Sequence, residues 1–330
     1  MVSDHVRPSR VALTGVSSRA YEHPSAQTAL AAMQNIRGFD TLLRKVHGTI
    51  GEPLVRMRYL SSAVRVGPRQ FRRLQAIKDE AIRVLDLPFE PEMYVQSMGA
   101  VNALTIGMDR PFIVVSTELL DVFDDDELLF VIGHEMGHAL SGHSTYLTMA
   151  RILASIGLSA FPIAGLAISA VEAALQDWSR KSELSSDRAG LLVSQDVDTA
   201  IRALMRLAAG AHADEMDTRE FLKQAAEYEL GATGARDRIY KFFTPSGTHP
   251  ILVARASQLD QWVRGGSYAR IVETREYPRR GEDSNVTLRE TIRMQRQATK
   301  QLKRLRGDDK ELRRRGLEIP YSVTDGESDV

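Results

Sequence analysis

Cysteine is absent from all 330 residues. That single absence excludes disulfide scaffolds, cysteine-liganded zinc, iron–sulfur clusters and thiol nucleophiles. A chain of this length buries about 75% of its unfolded-state surface on folding, so it needs no such staple, and the composition fits a reducing compartment. A net charge is missing too, because 43 Lys and Arg balance 43 Asp and Glu. This leaves no overall attraction to nucleic acid or acidic lipid. The opening residues, MVSDHVRPSR, carry no apolar run after their charges, unlike a secretory leader. The expected address is the cytoplasm.

Long uncharged runs are scarce. Ile152–Val171 is twenty residues without a charge, about 30 Å as a helix and enough to cross a bilayer. Eleven of those residues are Ala, Ser, Gly or Pro, and Pro162 divides the run. The stretch also separates two candidate metal-binding segments. A single crossing would put them on opposite sides of a membrane, and two crossings would leave about ten residues each, too few. A buried, proline-bent helix or helical hairpin is expected, or a flap over a cleft, with a peripheral membrane contact left open. Aromatic residues are missing from the basic stretch Thr287–Gly316, which carries eleven Lys and Arg against four Asp and Glu. With nothing interleaved to stack on bases, it reads as a solvated helical face, and no nucleic-acid partner is expected.

What is present is mostly helical periodicity. Residues 1–24 are polar and aperiodic and read as a flexible arm. A helix is expected over about 24–36. Phe71, Leu74, Ile77, Ala81 and Val84 predict another over Pro68–Leu85, with the proline in its first turn. MYVQ, VNALTIG and FIVVST, punctuated by Gly99, Gly107 and Pro111, predict short strands. FDDDELLFVIGHEMGHALSGH predicts a helix that starts at an Asp124/Glu127 capping box and ends near Gly142. Further helices are expected over about 146–175, 178–195, 199–209, 218–229 and 250–263. The chain turns charged from Pro278. The expected organisation is an N-terminal arm, a domain over 25–277 and a charged appendage over 278–330.

His134-Glu135-Met136-Gly137-His138 carries the chemistry. Residues four apart share a helix face about 5–6 Å apart at Cβ, so two imidazoles can converge on one metal ion. Glu135, beside the first histidine, can reach a metal-bound water and act as its base. A catalytic zinc needs a third protein ligand and an open position. WSRKSELSSDRAG supplies the best candidate: Glu183 as ligand, with Asp187 on the same helical face, orienting a ligand histidine or passing a proton. His143 falls five residues after His138, about 140° round a continuous helix, and is expected at the surface.

The pairing of HEMGH with a downstream ELSSD resembles the HtpX-type and CAAX-prenyl-protease-type zinc metallopeptidases, members of the glutamate-liganded zincins. Val101-Asn102-Ala103, ahead of FIVVS and Glu118-Leu119-Leu120, is similar to the family's Asn-Ala segment before its active-site helix. Thr248-His249-Pro250 with the later Arg255 is similar to its Ser/Thr-His-Pro motif. These matches keep the family's order and span about 100–260. The resemblance implies a predominantly helical α+β, zincin-like domain with a small β-sheet beside the HExxH helix. It implies one Zn2+ per chain on His134, His138 and Glu183, with Glu135 as catalytic base and Asp187 as a proton donor. For His249 it implies an oxyanion contact or occupancy of the open zinc position at rest; the alternative is a histidine at a helix start. The best-known members have several membrane segments, where this chain has one candidate.

The expected function is a zinc-dependent endopeptidase acting on protein or peptide substrates. An extended substrate would pair along the sheet edge near Asn102 or the FIVVS strand, which favours unfolded or flexible segments. Two alternatives stand beside it. One is a zinc-stabilised peptide-binding or chaperone-like module without turnover. The other is a SprT-type protease of DNA-bound proteins, for which the basic tail speaks and the third ligand, Glu183 rather than a histidine, speaks against.

Overall fold

The structure, a computed structural model, describes residues 10–49, 51–156, 168–231 and 251–282, all within one compact unit, Met1–Ser284. Its sheet has four strands, β1 (Val64–Arg65), β2 (Met93–Gln96), β3 (Ala103–Ile106) and β4 (Phe112–Ser116). Their order is β1-β2-β4-β3, with β2 and β4 parallel and the other pairs antiparallel. The helices are α1 (Pro24–Gln34), α2 (Phe39–Thr49), α3 (Gly51–Ser62), α4 (Arg72–Leu85), α5 (Thr117–Val122) and α6 (Asp125–Leu140). They continue as α7 (His143–Ile156), α8 (Ile168–Ser194), α9 (Val197–Ala209), α10 (Thr218–Gly231), α11 (Leu252–Arg264) and α12 (Ser267–Val272). The predominantly helical α+β class expected from sequence is the one observed.

Every residue of β4 is buried, as befits a short apolar run covered on both faces. Ile113 and Val115 join the main core with α4, α6, α8, α9 and α11. Phe112 and Val114 face the other way, into a smaller cluster with Tyr94, Ile106 and Tyr59 of α3. The FIVVS strand is therefore central, not an edge, and cannot offer free backbone groups to a substrate. β3 is the edge beside the HExxH helix. The expected helix over Pro68–Leu85 begins only at Arg72, because Phe71 takes a left-handed conformation after a turn at Gly67–Gln70. Its apolar stripe, Leu74, Ile77, Ala81 and Val84, is buried as the spacing requires.

The expected flexible arm is not one from Arg10 onward. Leu13, Val16 and Tyr21 are fully buried, and Leu13 donates its amide to the Val84 carbonyl. This strip also bridges Arg279 and is held by the Arg280 amide and the Pro278 carbonyl. The ordered unit thus includes 10–23 and reaches past 278. Three isolated apolar residues without periodicity suffice to pin an irregular segment, which is why pattern reading missed it. The ends of the uncharged stretch 152–171 lie in α7 and α8; residues 157–167 lie outside the described residues. Among the described residues no helix is long and apolar enough to cross a membrane.

Glycine sets the contact that builds the site. A Cβ on Gly133 of α6 would lie 2.6 Å from Val193 Cβ of α8, and one on Gly137 would lie 2.5 Å from Ala189 Cβ. Gly190 of α8 faces the Phe130 carbonyl in the same way, at 2.7 Å. The two helices meet nearly backbone to backbone, so side chains one turn along can converge. In an exposed helix Gly→Ala stabilises by about 1 kcal/mol. Here Gly137→Ala is expected to destabilise by about 1–3 kcal/mol through overpacking, read as a lower urea midpoint at unchanged m-value. A raised midpoint would show that the helices have room to separate.

Candidate metal centre

α6 starts where the sequence says it should. The Asp124 carboxylate accepts from the amides of Asp126 and Glu127, and the Glu127 carboxylate accepts from the Asp124 amide. That phase presents His134, Glu135 and His138, all buried, between α8 and the sheet. Glu183 comes from α8, also buried. His134 Nε2 lies 3.2 Å from His138 Nε2 and 3.6 Å from Glu183 Oε2, and His138 Nε2 lies 3.3 Å from Glu183 Oε1. Two ligands each about 2.0–2.1 Å from a tetrahedral zinc sit about 3.3 Å apart. The three donors already have that spacing.

The outer hydrogen bonds fix which nitrogens face inward. Asp187 Oδ1 lies 3.0 Å from His134 Nδ1 and accepts the Nδ1–H hydrogen bond, so Nε2 presents a lone pair. His143 Nδ1 lies 3.2 Å from His138 Nδ1; with His138 Nδ1–H donating to it, the His138 Nε2 lone pair also faces inward. Two lone pairs and a carboxylate aimed at one another repel unless a cation sits among them. Charge gives the same answer. Glu135, Glu183 and Asp187 are buried together, with Arg255 as the guanidinium that touches two of them, and a divalent cation would offset the gathered negative charge. The residues fit a metal, and His134, His138 and Glu183 are the group that could hold it.

Arg255 of α11 anchors this arrangement. Its Nε and Nη2 donate to the two Asp187 oxygens at 2.7 and 2.5 Å, and Nη1 lies 3.2 Å from Glu183 Oε2. Burial alone would raise the Asp187 carboxyl, but Arg255 outweighs it and holds Asp187 below the usual range. Its contact with His134 Nδ1 has the geometry of the orienting role expected for Asp187. Burial likewise pushes the His134 imidazolium down, yet the Asp187 hydrogen bond and the Glu183 charge outweigh it and raise its proton affinity.

The surface position expected for His143 is wrong. Its side chain is buried, edge-on to both His138 and Trp178. The 100° rule fails because α6 ends at Leu140 and Gly142, at φ +68°, turns the chain before α7 begins at His143. Burial first, and then the His138 charge, hold the His143 imidazole neutral, well below its ordinary range, as an acceptor for His138 must be. His143→Phe keeps the packing and removes the acceptor. It is expected to weaken metal affinity about 10–100-fold, measured by competition with a chromogenic chelator; unchanged affinity would make His143 packing alone.

Thr105 of β3 is a further residue that sequence reading missed. Its Oγ1 lies 2.6 Å from Glu135 Oε2 and 2.9 Å from the Glu135 carbonyl. The signal was there: Ala103 and Thr105 alternate onto the strand face toward α6, and a lone threonine on a buried face needs a partner. Tyr21, from the supposed arm, donates to the Gly137 carbonyl inside the HExxH turn. His249 lies outside the described residues.

A buried His-Glu-x-x-His helix, a glutamate from the next long helix and a small sheet alongside have the zincin-like arrangement of a metallopeptidase domain. The family model for peptidase family M48 matches residues 68–263. The chain belongs to peptidase family M48. It is 31% identical over 259 residues to the plastoglobule-localized metallopeptidase 48 of Arabidopsis thaliana, covering 77% of this chain and 75% of that one. A protease HtpX homolog from Sulfurihydrogenibium sp. is 25% identical over 212 residues, 53% of this chain and 69% of that one. Another, from Pyrobaculum aerophilum, is 36% identical over 92 residues, 27% and 26%. No solved structure matches significantly.

Proposed function

We propose that this metallopeptidase is a zinc endopeptidase that cuts unfolded or flexible protein segments, with His134, His138 and Glu183 as ligands and Glu135 as general base. The observation that carries it is Glu135 itself, buried beside the three converging donors yet not one of them. When bound, the ion supplies Lewis acidity, so that water becomes a nucleophile near neutral pH. Glu135 takes the proton of that water and delivers it to the departing amine. Thr105, donating to Oε2, leaves Oε1 to receive the proton. Asp187 and His143 keep the two ligand imidazoles in the required tautomers. His249 is the oxyanion donor of this reading.

An extended chain can add to β3, the sheet edge nearest Glu135, through its backbone. Pairing of this kind needs a substrate free of its own structure. Reduced, alkylated α-lactalbumin is expected to be cut at least about tenfold faster than the native protein, since folded segments must open first. Equal rates would overturn the preference for unfolded chain. Thr105→Val is expected to lower kcat about tenfold at similar KM, because the base loses its orienting contact; a change in KM alone would place Thr105 in substrate binding instead.

A further inference from the structure

Helix α3 is turned inside out. A surface helix ordinarily buries its apolar stripe and shows its charges to water. On α3 the charged residues face inward. Glu52 is buried and accepts from the Met108, Asp109 and Arg110 amides at 3.0, 2.6 and 2.9 Å. Arg56, one turn on, donates to the Arg110 carbonyl at 2.8 Å and pairs with Glu52. Tyr59 completes that side, edge-on to the Phe112 ring at 5.4 Å. The large apolar residues between them, Leu54, Met57 and Leu60, point outward and are 62%, 65% and 49% exposed. The inner contacts fix the rotation of the helix. Rolling it to bury the leucine face would strip a buried carboxylate of three amide donors.

The exposure continues along the chain. Among the described residues six large apolar side chains are exposed, and five of them lie between Leu54 and Phe71. Positive charge is gathered in the same place. Residues 53–77 hold six arginines and no Asp or Glu. Arg58, Arg65, Arg69 and Arg72 are exposed, and among the described residues no carboxylate lies within ion-pair distance of them. Arg56 and Arg73, by contrast, are paired, with Glu52 and with Asp125. Helix α7 adjoins this face, since its Arg151 and Ile152 share a groove with Leu54 and Met57. In sequence α7 leads into 157–167, a run without a charge.

We propose that this face docks on a membrane surface that carries anionic lipid. Leu54, Met57 and Leu60 enter the boundary between headgroups and acyl chains, and the arginines lie on the phosphates. Aliphatic tips flanked by unpaired cations, with no acid among them, are what an interfacial helix presents to a bilayer. A protein partner would have to match each arginine with a carboxylate at a fixed place, whereas an anionic leaflet meets all of them without register. The sheet separates this face from the metal centre. Tyr59 packs with Phe112 and Val114 on one side of β4, and Ile113 and Val115 join the core of α6 on the other. Docking here leaves the three metal donors and Glu135 uncovered, and it needs no bound metal.

Co-sedimentation of the full chain with sucrose-loaded vesicles tests it. Binding to mixed phosphatidylglycerol and phosphatidylcholine vesicles is expected to be at least about tenfold stronger than to phosphatidylcholine alone, since each arginine at an anionic surface contributes about fivefold. Arg58→Gln and Arg65→Gln should each lower it by about that factor. Leu54→Glu and Met57→Glu together should lower it at least about tenfold, because two apolar side chains no longer enter the interface. Both positions are exposed, so this double variant should match wild type in unfolding temperature and in hydrolysis of a soluble peptide. Equal binding to the two kinds of vesicle, or none, overturns the proposal. So does binding that survives the double substitution, which would place the contact elsewhere, with the basic residues of 287–316 the first to test. A double variant that melts several degrees lower would show the face packed beneath other parts of the chain, and overturns it too. A wild-type dimer that the double variant makes monomeric, without vesicle binding, would make the face an interface between copies instead.

Discussion

Glu135→Gln is expected to lower kcat about 10²–10⁴-fold, the range of a general base, while metal content and KM stay near wild type. The amide has the shape of the carboxylate and its oxygen can still accept from Thr105, which lies 2.6 Å from Glu135 Oε2. It cannot take a proton from water. Glu135 is not among the three converging donors, so the metal has no reason to leave. Glu183→Gln and His138→Ala should behave differently, because they remove a ligand and lose the ion first. The check is kcat on a quenched fluorescent casein beside metal content by mass spectrometry. Activity within about tenfold of wild type in a metal-replete variant would put the base elsewhere. Loss of the ion would make Glu135 a structural acid of the site.

The sequence carried the site further than it carried the fold. His134, Glu135 and His138 are legible because a helix of constant pitch turns a spacing of four into a shared face, and Glu183 and Asp187 follow by the same arithmetic on α8. The capping box at Asp124 and Glu127 is legible because both halves are local in sequence. What escaped depends on contacts between distant segments. His143 was misplaced by one glycine with positive φ that ends the helix the arithmetic assumed to continue. Thr105 and Tyr21 act on the HExxH helix from a strand 30 residues away and a strip 116 residues away, and nothing local in either marks the partner. Arg255 could be read only as part of a resemblance, whereas its hydrogen bonds give it a physical role. The aperiodic residues 10–23 show the same limit, since they are fixed by burial of Leu13, Val16 and Tyr21 and not by any repeating pattern.

Metal removal should weaken the fold and reverse its dependence on pH. With the ion present at about a thousandfold over its dissociation constant, binding contributes about 4 kcal/mol to stability, and chelation forfeits that amount. Without the ion, Glu135, Glu183 and Asp187 face Arg255 in a buried site, and a proton on His134 is the nearest substitute for the missing charge. The His134 proton affinity in the folded, metal-free protein is raised: burial opposes this, and Asp187 and Glu183 prevail. A raised folded value contributes stability that is complete below the unfolded value of about 6.5 and is lost as pH rises through the folded one. His143 works in the other direction. Burial and the His138 charge hold it well below its ordinary range, and burial with the Arg188 charge pushes His23 down to about 3. Below about pH 6.5 the unfolded chain takes up protons that the folded one refuses at these two positions, and stability falls. The metal-free protein is therefore expected to be most stable near pH 6.5, with each uncompensated proton giving a slope of up to about 1.4 kcal/mol per pH unit. The zinc-loaded protein should instead lose stability as pH falls from 8.5 to 6.5, because protons compete with the ion for the imidazoles. Thermal unfolding of chelated and zinc-replete protein at half-unit steps from pH 5.5 to 8.5 would show the two curves converging as pH falls. If the chelated protein instead grows more stable from pH 6.5 to 8.5, His134 does not hold the compensating proton. If chelation leaves the unfolding temperature unchanged throughout, the three converging donors do not hold an ion that the fold depends on.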